Sequence, residues 1–190
     1  MLKNARTMYV ACRQPLTVMT TATVLLMFLL GARAGTEPAA QKRAPDLGVC
    51  TNLEAPAGSK VVAHLYADGV QIYRWNGTAW TFVAPEALLF VDRGGHGVVG
   101  THFAGPTWES LSGSAVVGSV IDRCTPDPDA IPWLVLGAVS SDGPGIFERV
   151  ATIQRVNTTG GLAPTEPGDA AGDIVRVPYT AEYYFYRIDE

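Results

Sequence analysis

Val70-Gln-Ile-Tyr-Arg-Trp75 runs into Asn76-Gly77, and Ala79-Trp-Thr-Phe-Val83 follows two residues later. Two short apolar-rich segments around Asn-Gly are the strongest short-range signal for a β-hairpin. A tight turn needs left-handed backbone, and Asn and Gly accept it. The same rhythm continues in both directions. It predicts strands over Val61–Tyr66, with a turn at Asp68-Gly69, and over Val70–Trp75, Ala79–Val83, Ala87–Val91, Val98–Phe103 and Ser114–Val120. It predicts further strands over Trp133–Ser140, Phe147–Val156, Asp173–Val177 and Thr180–Arg187. Glycine and proline punctuate the chain so often that, beyond residue 34, the longest stretch without either is Ile146–Thr159, 14 residues rich in Val, Ile and Thr. Helices need longer runs. The expected fold is therefore all-β: one antiparallel β-sandwich or barrel domain of about ten strands spanning 47–190.

The first residues belong to a different kind of segment. Lys3, Arg6 and Arg13 precede an uncharged run from Val18 to Leu30, and Ala32-Arg33-Ala34 follows. A positive start, a short apolar run and small residues one apart form the pattern of a secretory signal peptide over 1–34, with cleavage expected between Ala34 and Gly35. The run is too short for a spanning helix, which needs about 20 apolar residues. No cysteine directly follows it and no Arg-Arg pair precedes it, so neither a lipid anchor nor the twin-arginine route is indicated. The expected location is secreted or periplasmic, with no membrane span once the signal is removed. Residues 35–46, rich in Ala, Pro, Gly and Thr, are expected to form a flexible arm.

The chain has 190 residues, 14 basic and 18 acidic, a net charge of −4, and an apolar fraction of 47%. That apolar content is enough to build a core. Loss of residues 1–34 removes four basic groups and no acid, which leaves a net charge of −8. An acidic domain argues against nucleic acid as a partner and leaves a metal ion or a neutral small ligand as company. Of the three cysteines, Cys12 falls in the signal. Cys50 and Cys124 remain, either bridged, as an oxidising compartment favours, or as two buried thiols.

Several strings carry a family resemblance. Val70-Gln-Ile-Tyr73, Phe82-Val-Ala-Pro-Glu-Ala87, Gly100-Thr-His-Phe-Ala-Gly-Pro-Thr-Trp-Glu109, Ile131-Pro-Trp-Leu134, Ile153-Gln-Arg-Val-Asn-Thr-Thr-Gly-Gly161 and Val177-Pro-Tyr-Thr-Ala-Glu-Tyr-Tyr-Phe-Tyr186 stand in that order. In these strings the chain resembles a family of secreted bacterial and fungal proteins known as domain of unknown function 3455, over about residues 47–187. The resemblance implies a secreted, β-rich single domain with no established activity. Relatives often have cysteine where Trp75 stands and near Gly168-Asp169. This chain has neither, which implies a disulfide lost as a pair. Some fungal relatives carry a malate-dehydrogenase label.

The residues themselves argue against that label. Gly95-His-Gly-Val-Val-Gly100 fits a dinucleotide fingerprint, but only Thr101–Ala104 intervene before Gly105-Pro106, so no helix can open on it. A Gly-rich hairpin loop is expected instead. There is no GxSxG elbow and no SxxK. The histidines are His64, His96 and His102. His64 and His102 fall in expected strands, and with Glu109 they are the candidate ligands for zinc or copper. Trp108 beside Glu109 is the tryptophan most suggestive of a site, a stacking surface for a sugar or another planar ligand. Trp75 and Trp80 are expected to pair across the hairpin. Gln154, Arg155 and Asn157 interrupt an otherwise apolar strand, and either fix the loop after it or line a pocket. The candidate ligand-binding residues are thus His64, His102, Trp108, Glu109 and Gln154. No catalytic residue and no cofactor is indicated. The expected function is a non-catalytic extracellular or envelope binding or structural protein. The alternatives are a secreted metalloenzyme using His64, His102 and Glu109, or a carbohydrate-binding module.

Overall fold

The Asn76-Gly77 hairpin forms. In the computed structural model, which describes residues 43–188, the Asn76 side-chain oxygen accepts from the amides of Thr78 and Ala79, both at 2.9 Å. The hairpin joins β1 (Ser59–Trp75) to β2 (Trp80–Phe90), and Trp75 stands opposite Trp80 with ring centroids 5.5 Å apart. Six strands follow: β3 (Val98–Phe103), β4 (Thr107–Ser110), β5 (Ala115–Cys124), β6 (Trp133–Asp142), β7 (Thr152–Gly160) and β8 (Ile174–Ile188). Each pairs antiparallel with the next, and β8 returns to β1. The result is a closed barrel of eight strands in chain order. Closure leaves no unpaired edge along the ring.

Eight strands replace the expected ten for physical reasons. Asp68-Gly69 is no turn, because β1 runs straight through it. A Cβ at Gly69 would lie 2.2 Å from the Glu86 carbonyl oxygen, so this glycine permits close approach of β2. Ala79–Val83 and Ala87–Val91 are likewise one strand, β2. Asp173–Val177 and Thr180–Arg187 merge into β8. Pro85 and Pro178 are tolerated inside these strands because each faces a paired neighbour only across β1. The short β4 was not expected. Extra residues at Val62, Val83, Val99, Ile121 and Val139 bulge one strand against its neighbour and help the sheet curve shut.

The interior is laid out by period-two alternation. From β1, Ala63, Leu65, Ala67, Gln71 and Tyr73 are buried; from β8, Tyr179, Ala181, Tyr183 and Phe185. One end of the barrel is plugged. The loop 143–151 turns Phe147 and Val150 back into the core, where Phe147 packs on Phe185 with centroids 4.7 Å apart. Phe147 therefore belongs to a loop and not, as expected, to the start of a strand. Ser114 and Ser141 hold this plug: Phe147 N–H donates to Ser114, and Ser141 donates to the Phe147 carbonyl.

Outside the barrel, residues 47–55, including a 3-10 turn at Thr51–Leu53, cover the outer faces of β6, β7 and β8. A Cys50–Cys124 disulfide ties this segment to the end of β5. No described helix is long and apolar enough to cross a membrane. The expected signal at 1–34, its cleavage between Ala34 and Gly35, and most of the expected arm lie outside the described residues.

Candidate functional site

The barrel end opposite the plug holds a cavity of about 470 Å³, lined from β1, β2, β3, β4, β5, β6, β7 and β8. Its size falls within the ordinary range of small-molecule sites, about 300–1,000 Å³. Leu134, Leu136, Ile131 and Pro132 supply apolar wall, and Tyr73, Trp108 and Tyr183 supply aromatic wall. Phe82, Val83 and Val120 line it and are solvent-exposed, which marks the mouth.

Three lining residues carry buried polar atoms with no hydrogen-bond partner: Gln71 Nε2, Trp108 Nε1 and the Tyr183 hydroxyl. Gln71 is 3%, Trp108 1% and Tyr183 1% exposed. Such groups are normally satisfied, since leaving one unpaired costs about 1–3 kcal/mol. The Tyr179 hydroxyl behind them is unpaired too. Burial raises the ionisation of Tyr179 and Tyr183 above the usual phenol range, so both hydroxyls keep their protons.

Arg155 enters the same cavity from β7. Its Nε and one terminal nitrogen donate to the Pro132 carbonyl at 3.2 and 2.8 Å. Among the described residues no carboxylate lies in ion-pair distance of it. His102 sits across from it, fully buried and stacked on Trp108 at 4.4 Å with the rings 8° from parallel. Its Nδ1 faces the Thr107 carbonyl at 2.8 Å, which can only accept, so Nδ1 holds the proton and Nε2 is bare. Burial, aided by Arg155, pushes its pKa down to about 3. His102 is neutral at ordinary pH.

The expected site residues therefore separate. His102 and Trp108 meet in the cavity. His64 is on the outer wall: its Nε2 contacts Glu182 Oε2 at 2.7 Å and its ring stacks on Tyr184 at 4.0 Å. Arg93 bonds the other oxygen of Glu182. No Ser, Thr or Cys side chain among the described residues hydrogen-bonds to His64. Glu109 follows Trp108 on β4, so alternation turns it outward into solvent. A metal centre of His64, His102 and Glu109 is thus not assembled: one ligand points inward and two point out. Among the described residues no three His, Cys, Asp or Glu side chains are placed to hold a metal. Trp108 is too deeply buried for the open sugar platform expected of it. Gln154 is a structural clasp, donating to the Leu53 carbonyl at 2.6 Å and accepting from Tyr186. Gly95–Gly100 form a loop running into β3, with no helix behind them.

Gln71 and Tyr183 complete the cavity and were not among the expected site residues; Arg155, expected either to fix the loop after its strand or to line a pocket, lines it. Arg155 alone had a signal, as a charge inside an apolar strand.

Fold and cavity together define a class: a closed eight-stranded antiparallel barrel, plugged at one end, with a partly polar cavity at the other. The chain belongs to the family described as protein of unknown function (DUF3455), whose model matches residues 56–187. No curated protein and no solved structure matches it. The match begins just before β1 and ends one residue short of the end of β8, so it covers the barrel except for Ile188.

Proposed function

We propose that this is a non-catalytic binding protein of the cell exterior or envelope, which holds one small ligand inside the barrel. The observation that carries the reading is the set of unpaired buried groups, Gln71 Nε2, Trp108 Nε1 and Tyr183 O–H, on residues that line a cavity open at a mouth. An eight-stranded barrel is wide enough either to be filled by side chains or to hold one small ligand. Here the plugged half is filled and the other half is not. The support for export is the pattern of residues 1–34 together with a disulfide, a bond that persists in oxidising compartments.

Ligand capture is tested by melting the purified protein against a panel of small apolar and aromatic compounds while following tryptophan fluorescence. A ligand at 100 times its Kd should add about 2.7 kcal/mol, or several degrees in Tm. Unchanged Tm and fluorescence across the panel would contradict the reading. Export is tested by mass spectrometry of the protein recovered outside the cytoplasm, which should begin at Gly35. An intact chain starting at Met1 and confined to the cytoplasm would contradict it.

A further inference from the structure

We propose that the cavity selects an organic anion, a carboxylate on an apolar or aromatic body, with Arg155 as its counter-ion. This rests on the binding reading above and names the ligand's chemistry.

Arg155 is a half-buried guanidinium that donates twice to the Pro132 carbonyl. The Tyr183 hydroxyl lies beside the guanidinium, and no carboxylate among the described residues pairs with it. A guanidinium withdrawn from water needs an anion close by, and the lining contains no Asp or Glu at all. The two bonds to Pro132 fix the plane of the group, so one edge is pre-set for an incoming carboxylate. The orphaned groups agree in sign. An amide N–H, an indole N–H and a phenol O–H can all donate, and each lacks a well-formed hydrogen bond. His102 stays neutral beside them, held down to a pKa of about 3. The interior charge is therefore a single cation, with Arg123 exposed at the rim, and this suits a monoanion.

The remaining wall describes the ligand's body. Tyr73, Trp108 and Tyr183 offer aromatic faces, Leu134 and Leu136 aliphatic ones, and the exposed Phe82 and Val83 continue the apolar surface to the mouth. The whole chain has a net charge of −4, so it does not attract anions at long range. Selection comes from the guanidinium and its neighbouring donors.

The test compares matched probes: 1-naphthylacetate against 2-(1-naphthyl)ethanol, and decanoate against decanol, each titrated into the purified protein by tryptophan fluorescence and calorimetry. For at least one pair the carboxylate should bind at least about tenfold tighter, as expected for a charge-assisted bond. Arg155→Met should bring that pair to near equality while the alcohol still binds. Arg155→Lys, which keeps the cation, should retain a preference and guards against a folding artefact in the methionine variant. If the alcohols bind as well as the carboxylates, the anion inference fails and the binding reading stands. If none of the four probes binds, both fail.

Discussion

His102 shows how burial sets the chemistry of a single side chain. Its pKa is about 3 in the folded barrel and 6.5 when exposed. The unfolded chain therefore takes up a proton between those values and the folded chain does not. Stability is full above pH 6.5 and falls as pH drops toward about 3, because protonation then favours unfolding. Tm measured across that window should fall steeply for the wild-type chain and less steeply for His102→Gln. Parallel curves would contradict the assignment. His102 and Trp108 were legible in the sequence as a neighbouring pair worth attention. Their mutual stacking was not, because it depends on β3 and β4 pairing in a register that sets His102 opposite Trp108. Gln71 was illegible for a related reason. In Val-Gln-Ile-Tyr-Arg-Trp the apolar alternation reads equally well with Val70 and Ile72 inside. Only the unbroken run Ala63, Leu65, Ala67, Gly69 carries the inward phase across to Gln71 and Tyr73.

At the scale of elements, the hairpins were readable and the long strands were not. Asn76-Gly77 gave its turn away because Gly77 takes left-handed backbone and the Asn76 side chain accepts from the turn amides. Asp68-Gly69 has the same composition and another cause: the absent side chain makes room for the Glu86 carbonyl. Composition cannot separate the two. A similar substitution of space explains Trp75 and Gly168. A Cβ at Gly168 would stand 2.7 Å from the Trp75 ring, so the indole packs onto a bare backbone. The plug was misread as strand because Phe147 and Val150 are apolar and lie close to β7. Its weight is testable. Phe147 is 0% exposed and packs on Phe185, so Phe147→Ala should cost about 3–5 kcal/mol in denaturant unfolding. A loss below about 1 kcal/mol would show that the barrel does not depend on the loop.

For the whole molecule, the all-β class followed from punctuation and alternation, but closure into a ring did not. Closure is decided by β8 finding β1 across more than a hundred residues of sequence, an interaction that leaves no local mark. The outer strap adds a second long-range constraint. Cys50–Cys124 closes a loop over 74 residues of separation, and Asn52 bonds Asp122 and the Arg123 carbonyl beside it. The chain-entropy model assigns such a loop about 4 kcal/mol. Cys50→Ser should lower unfolding free energy by about that amount, and equal stability with and without reductant would contradict a structural bridge.

The half-open barrel is proposed as a binding site whose unpaired donors meet the ligand. The most direct measurement is the NMR signal of the four tryptophan indole N–H groups, Trp75, Trp80, Trp108 and Trp133, during titration with 1-naphthylacetate and decanoate. Trp108 Nε1–H should move with saturation as it gains an acceptor, while Trp80, already bonded to the Glu166 carbonyl, stays in place. A silent Trp108 signal at concentrations that perturb the exposed indoles would contradict it.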